Sequence, residues 1–319
     1  MAHPRRSDRV TLAVHVLHDH PEWLPPFRAA FAAEGVALRE WLLEDGARID
    51  LSEAPPDGLF WSRLSASSHT RGRRVAKEAG RATLAWLEAH GRRVVNGRGV
   101  LEIEVSKAAQ HAALAAAGID VPRSIAVVGR DGIADAARAI GAPAIVKHNQ
   151  GGKGLGVRGF DAVEHLEEYL ASPLYEEPLD GITIVQERLV PVEPFVTRAE
   201  FVGGRFVYAV RVDTAAGSFE LCPADVCEVP SGSLHEPFEL RNTVTADHPL
   251  IRRVESFLSG AGIEIAGVEF IETVDGRSVV YDVNTNTNYN PAVEAVAPES
   301  ATRSVARFLG AELARVPTR

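Results

Sequence analysis

The sequence predicts an α/β chain whose C-terminal half shifts to α+β. Three observations carry that reading. Strand-length apolar runs alternate with helical periodicity over the first hundred residues, a pattern that implies a parallel sheet covered by helices. A glycine-rich run, Gly151-Gly152-Lys153-Gly154-Leu155-Gly156, follows a strand near the middle of the chain. Two hairpin-turn dipeptides, Gly203-Gly204 and Asp275-Gly276, lie between extended runs in the last third. A chain of 319 residues suits about two domains.

Taken in order, residues 10–17 form an apolar run of strand length, 22–34 read as a helix, 36–43 and 57–64 as strands, and 73–90 as a helix ended by Gly91. A short strand follows at 93–96. In parallel sheets ligands sit beyond the strand C-termini, which here carry His15, His18, His20 and the stretch from Ser62 to His69. A second unit starts near Leu101, with an alanine-rich helix over 102–117 stopped by Gly118. Strands at 124–128 and 144–147 flank a helix at 133–140; after the glycine run come a helix at 162–170 and a strand at 182–187. The third unit holds two hairpins, 197–202 with 205–213 and 267–274 with 277–284, a helix at 250–258 between them, and a closing helix at 298–309.

Composition narrows the function classes. At 45% hydrophobic and 24% charged, the chain is an ordinary globular one rather than a disordered one. Its net charge of −9 argues against a nucleic-acid partner. Apolar stretches such as 121–129 are too short to span a bilayer, so no membrane partner is expected. No apolar signal region follows the N-terminal residues, which points to the cytoplasm. Two cysteines, Cys222 and Cys227, exclude a disulfide framework and form no zinc pattern. Of the 34 basic residues only Lys77, Lys107, Lys147 and Lys153 are lysines. Either codon bias left them as random survivors, or each marks a place that needs a compact ammonium rather than a planar fork.

The second hairpin carries the sharpest chemistry. With Asp275 and Gly276 as a two-residue turn, Glu269 faces Asp282 and Asn284 faces Gly267, all on one side of the ladder. Two carboxylates and an amide oxygen on one open patch suit a hard cation such as Mg²⁺; a solvated acidic face is the plain alternative, and a bulge would break the register. The first hairpin, paired about Gly203-Gly204, sets Arg211 opposite Val196 on the face that carries Arg198 and Glu200. Two arginines there form either a clamp for phosphate or carboxylate oxygens or a surface ion-pair cluster. The glycine run is neither a Walker loop nor a dinucleotide fingerprint, and serves as a turn or as a cradle of backbone N–H groups for an anion.

Together these residues resemble the ATP-grasp superfamily, and within it the RimK-like carboxylate–amine ligases. The resemblance rests on Ser106-Lys107 leading to Gly118-Ile-Asp-Val-Pro122, on Ile145-Val-Lys147, the Gly151 to Gly156 loop, Val185-Gln186-Glu187, Arg198, Arg211, and Gly267-Val-Glu269 paired with Asp282-Val-Asn284. It covers roughly residues 101–291. It implies a pre-ATP-grasp Rossmann-like parallel-sheet domain (1–98), a small lobe with a glycine-rich lid (99–187) and a C-terminal lobe with the metal site (188–319). By the same resemblance Lys107 and Lys147 hold nucleotide phosphates, Gly151, Gly152, Lys153, Gly154 and Gly156 form the lid, and Gln186, Glu187 and Leu189 bind adenine. Glu193 stands where an acidic residue contacts the ribose. Glu269, Asp282 and Asn284 hold Mg²⁺, with Mn²⁺ as the other candidate, and Arg211 with Arg198 stabilises the transferring phosphoryl group.

The implied activity is ATP-dependent joining of a small carboxylate to an amine, on an amino acid or peptide, through an acyl phosphate, and the chain is a candidate homodimer. Ligation to a thiol or hydroxylamine-type nucleophile, and a catalytically silent ATP-binding regulator, are the alternatives. Glu269 and Asp282 exchange the carboxylate types common in the family, and the stretch 217–227 departs from the glutamate-adding ligases. Arg63, Asn286 and Asn288 are candidate substrate contacts. The three histidines at 15, 18 and 20 read as metal ligands or as loop residues near the substrate.

Overall fold

The computed structural model describes residues 12–152, 156–214 and 238–317. Lys153 and Gly154 of the glycine run, and both cysteines, lie outside the described residues. The first sheet comprises β1 (Val14–His18), β2 (Leu38–Leu42), β3 (Leu59–Arg63) and β4 (Val94–Val95), in the order β2-β1-β3-β4 and parallel throughout. Every residue of β1 and β3 is buried, as befits central strands of a parallel sheet covered on both faces. Helices α1 (Pro25–Ala33) and α2 (Ala76–Ala89) cover it, each shorter than the sequence periodicity suggests because a 3-10 turn precedes it.

The alanine-rich segment is two helices rather than one. α3 (Arg98–Val105) ends at Ser106, whose extended backbone (φ −134°, ψ 110°) also begins α4 (Lys107–Ala116). Ser106 Oγ accepts the Ala109 N–H, a helix cap that outweighs the local propensity to continue. This break places Lys107 in the first turn of a new helix.

The second sheet contains β5 (Ser124–Val128), β6 (Ala144–His148), β7 (Arg158–Phe160) and β8 (Ile182–Glu187), ordered β5-β8-β6-β7 with antiparallel neighbours. α5 (Ile133–Ile140) and α6 (Val163–Ala171) pack on it around Val146, Leu166 and Val185. The third sheet comprises β9 (Phe195–Val202), β10 (Arg205–Asp213), β11 (Phe238–Leu240), β12 (Ile265–Glu272) and β13 (Ser278–Asn284), ordered β11-β10-β9-β12-β13. α7 (Pro249–Ala261) buries Leu250, Val254 and Leu258 with Phe201 and Phe270 on one face. After the short α8 (Pro291–Val296), α9 (Ala301–Leu313) packs between α1 and the other face of this sheet. Val14, Trp61, Val196, Val210 and Leu309 thus share one apolar cluster, which joins the first sheet to the third.

Both hairpins carry a bulge absent from the sequence-based register. In the first, Val202 pairs with Arg205 across Gly203-Gly204 as expected, but the register shifts between Phe206 and Tyr208. Arg211 therefore pairs with Thr197 rather than Val196. In the second, Glu272 pairs with Ser278 and the Thr273 N–H donates to the Arg277 carbonyl, so the loop has three residues, not two. A bulge at Tyr281 then restores the expected pairing of Glu269 with Asp282 and of Gly267 with Asn284.

Candidate active site

Two adjacent cross-strand rows on one face of the third sheet build the site. Asp282, Glu269, Arg198 and Val210 form one row; Asn284, Gly267, Glu200 and Tyr208 form the next. Arg198 donates through Nε to Glu200 (2.6 Å), through Nη1 to Glu269 (2.9 Å) and through Nη2 to Thr287 Oγ1 (2.5 Å). The Thr287 hydroxyl donates to the other oxygen of Glu200 at 2.8 Å, so that carboxylate, itself buried, orients the guanidinium. The Tyr281 hydroxyl, turned to this face by the bulge, donates to Glu269 Oε2 at 2.8 Å, and Lys107 Nζ bonds Asp282.

The space opposite Asn284 is not the open patch that the absence of a side chain suggests. A Cβ on Gly267 would lie 2.8 Å from Arg198 Nη2 and 2.9 Å from Glu200 Oε2. The glycine therefore leaves room for the arginine–glutamate pair.

The electrostatics follow from burial and pairing. Burial raises the Glu269 carboxyl; Arg198 draws it down and the facing Asp282 pushes it up. Burial acts upward on Asp282 too, but Lys107 outweighs it and holds the carboxyl below its ordinary value. Lys107 in turn is held high against its own burial by Asp282, Glu104 and Glu269. Among the described residues no carboxylate forms an ion pair with Lys147: burial first, and the Lys107 charge second, push its ammonium down to about 7 against a smaller upward pull from Asp282. Asn149 ties the two lysine-bearing elements together. Its side-chain oxygen accepts from Ala108 N–H and from the Ser106 hydroxyl, and its carbonyl accepts from Lys107 N–H.

These groups line a cleft of about 420 Å³, open to solvent. Gln186, Leu189, Ile145, Val196 and Ile271 line it together with Lys107, Lys147, Gly151, Gly152, Arg198, Glu269, Asp282 and Asn284. Trp23, Ser65, Ser67, Asn286 and Asn288 line it too. The donor set of two facing carboxylates and an amide oxygen fits a hard divalent cation: all three can offer oxygen, and the repulsion between the two carboxylates is here met by Arg198 and Lys107. Among the described residues no group of three or more His, Cys, Asp or Glu side chains could hold a metal ion, so the set here counts two carboxylates and an amide.

Several expected residues stand elsewhere. Arg211 shares no face with Arg198: the bulge at Val207 turns it to the opposite side of the sheet, with its guanidinium 4.6 Å from the Phe195 ring centroid. Arg63 lies behind the cleft wall rather than in it, sandwiched near Phe27 and Trp61 and donating to the Thr287 carbonyl and to Asn288 Oδ1, each at 2.8 Å. Glu187 is a partner of Arg123 N–H and of Arg277, and Glu193 is exposed; neither lines the cleft. Gly156 sits at φ +75° against the His148 ring. His15 stacks on Phe60 in the first sheet and burial pushes His18 down to about 4; both are packed core residues, and among the described residues neither joins a group of three or more side chains that could hold a metal ion. Tyr281, Thr287 and Asn149 were not foreseen. The first needed knowledge of the bulge, and the other two act across elements far apart in sequence.

No family model matches the sequence, and no curated protein is similar to it at a meaningful level. Solved structures are similar. A RimK-domain ATP-grasp protein from Sphaerobacter thermophilus superposes with a TM-score of 0.66 at 19% identity, covering 93% of this chain and 98% of its own. The D-cycloserine synthetase DcsG gives 0.63 at 18%, over 94% of this chain and all of its own. D-alanyl-alanine synthetase A from Vibrio cholerae gives 0.67 at 10%, over 96% and 100%. The chain therefore has the ATP-grasp fold, and among the proteins it resembles are a RimK-domain ATP-grasp protein and a D-alanyl-alanine synthetase.

Proposed function

We propose that this protein is an ATP-dependent carboxylate–amine ligase that forms an amide on an amino acid or small peptide. The observation that carries the reading is the row Asp282–Glu269–Arg198, with Lys107 on Asp282, in the same cleft as Lys147 and the start of the glycine run. The fold supports it: the ATP-grasp ligase PsnB, similar at 17% identity with a TM-score of 0.65, was solved with a minimal precursor, Mg and ADP. In this reading Gln186 and Leu189 flank the adenine, Lys107 and Lys147 hold phosphate oxygens, and Gly151 and Gly152 offer backbone N–H groups to them. Glu269, Asp282 and Asn284 would hold Mg²⁺, which when bound neutralises charge on the phosphates.

The reaction runs in two steps. A substrate carboxylate oxygen attacks the γ-phosphorus, and the bond to ADP breaks, giving an acyl phosphate. The amine nitrogen then attacks the acyl carbon, the C–O bond to phosphate breaks, and the nitrogen loses a proton. Arg198, already oriented by Glu200 and Thr287, supplies fixed positive charge where negative charge develops. With Arg211 on the other face, the reading gives this role to Arg198 alone. Positioning and charge neutralisation account for most of the rate.

The test is release of ADP and phosphate over a panel of amino acids and dipeptides, with and without Mg²⁺. Amine-dependent, Mg²⁺-dependent release with a mass-spectrometric amide product supports the ligase. Tight nucleotide binding without turnover on the whole panel points instead to a silent regulator.

A further inference from the structure

We propose that Gln110, on α4, is a positioning residue for the cation site: its carboxamide stands in for a neighbouring strand along β13 and fixes the backbone that carries Asp282 and Asn284. The proposal rests on the cation reading above and adds a residue that acts on that site through its backbone.

The cation donors stand on the least supported strand of the sheet. β13 is outermost, with β12 on one side only. The bulge at Tyr281 interrupts that one ladder directly before Asp282. An edge strand leaves a row of N–H and C=O groups without strand partners, and a binding site needs its backbone held firmly.

Here a helix face replaces the missing strand. Lys107, Gln110 and His111 are spaced three and four residues apart, so they share one face of α4. Lys107 Nζ bonds the Asp282 carboxylate. Gln110 Oε1 accepts from the Val283 N–H at 2.9 Å, and Gln110 Nε2 donates to the Val283 carbonyl at 2.7 Å. His111 Nε2 stands 3.2 Å from the Tyr281 carbonyl, which can only accept, so that nitrogen carries the ring proton. Gln110 and His111 thus hold three consecutive peptide groups: the two that flank Asp282 and the one that enters Asn284.

The cover extends along the edge in both directions. The Val280 N–H donates to the Asp120 carbonyl at 2.8 Å. The Thr285 N–H and hydroxyl donate to Glu104 at 2.6 and 2.9 Å, and the Thr285 carbonyl accepts from Asn96 Nδ2 at 3.2 Å.

Gln110 is the centre of this row. It is fully buried, and it exchanges both bonds with one residue, as a strand partner does in an antiparallel ladder. Its amide adds no charge beside Asp282 and Lys107. It also lies one helical turn from Lys107, so the same contact sets Lys107 against Asp282. An edge cover that served stability alone would leave cation affinity unchanged when lost; a positioning residue would not.

The test is calorimetric titration of ADP into the full chain, with Mg²⁺ and with EDTA, in wild type, Gln110→Met and Leu84→Ala. Methionine keeps the length of the side chain and loses both bonds to Val283. Leu84 is buried in the core of the first sheet and does not line the cleft, so its truncation lowers stability without touching β13. We expect Gln110→Met to reduce the Mg²⁺-dependent gain in ADP affinity at least about fivefold, as loss of a group that orients metal ligands does, while its affinity in EDTA stays as in wild type. Leu84→Ala should unfold at a lower temperature and keep the gain. A smaller fall in Gln110→Met, or an equal fall in Leu84→Ala, overturns the proposal while the cation reading stands. If Gln110→Met binds no ADP even in EDTA, His111→Leu, which gives up the Tyr281 bond, decides by the same measure. A wild type without any Mg²⁺-dependent gain overturns the cation reading itself, and the proposal with it.

Discussion

Replacing Lys147 with methionine should stabilise the free protein at low pH and remove a proton uptake that accompanies nucleotide binding. In the folded chain burial and the charge of Lys107 push the Lys147 ammonium down from 10.5 to about 7. Between those two values the unfolded chain binds a proton that the folded chain does not. The lysine's contribution to stability is therefore most favourable above the unfolded value and falls as the pH drops toward 7. At pH 6 the difference amounts to about 5 kcal/mol, at 1.36 kcal/mol for each tenfold change in proton affinity. Methionine keeps the volume and carries no charge, so the variant should unfold at higher temperature than wild type at pH 6, with the gap narrowing by pH 9.5. On binding, the phosphates of ADP restore the charge. At pH 8 the free lysine is about nine-tenths neutral, so wild type should take up about 0.9 proton per ADP, and the variant none. Calorimetric titration at pH 8 in two buffers of different ionisation heat reads this uptake. A gap in unfolding temperature that does not change with pH, together with buffer-independent binding heats in wild type, would refute the reasoning.

Three further substitutions probe the sheet face. Gly267→Ala puts a Cβ within 3 Å of both Arg198 and Glu200; a displacement of that pair by about 1 Å should lower kcat on the order of 10²-fold, and an unchanged kcat would show that the pair is not part of the reaction. Arg198→Ala should lower kcat by about 10²- to 10³-fold in steady-state assays, and near-wild-type turnover would remove its role. Arg211→Ala, on the opposite face beside Phe195, should keep turnover within about fivefold of wild type, a change of roughly 1 kcal/mol; a loss as large as that of Arg198→Ala would return the role to Arg211.

Much of the fold was legible because its signals are local. The alternation of the first hundred residues, the helix at 133–140, the strand at 182–187 and the Gly203-Gly204 turn all follow from periodicity and turn chemistry. The pairing of Glu269 with Asp282 was legible too, although two register errors cancelled: a three-residue loop shifted the ladder one way and the Tyr281 bulge shifted it back. In the first hairpin no second shift intervened before Arg211, and the face was misread. The break at Ser106 was hidden inside an alanine-rich run whose propensity favours one long helix. Arg63 and Asn149 act through partners more than thirty residues away, and no local pattern announces such contacts.

The central claim is that two facing carboxylates and an amide on the third sheet hold a divalent cation beside a bound nucleotide. Calorimetric titration of ADP into the full chain, with Mg²⁺ and with EDTA, tests it in wild type and in Glu269→Gln/Asp282→Asn. Wild type should bind ADP at least tenfold more tightly with Mg²⁺, about 1.4 kcal/mol, and the double variant should lose that increment while keeping its affinity in EDTA. An increment of equal size in the double variant would contradict the account.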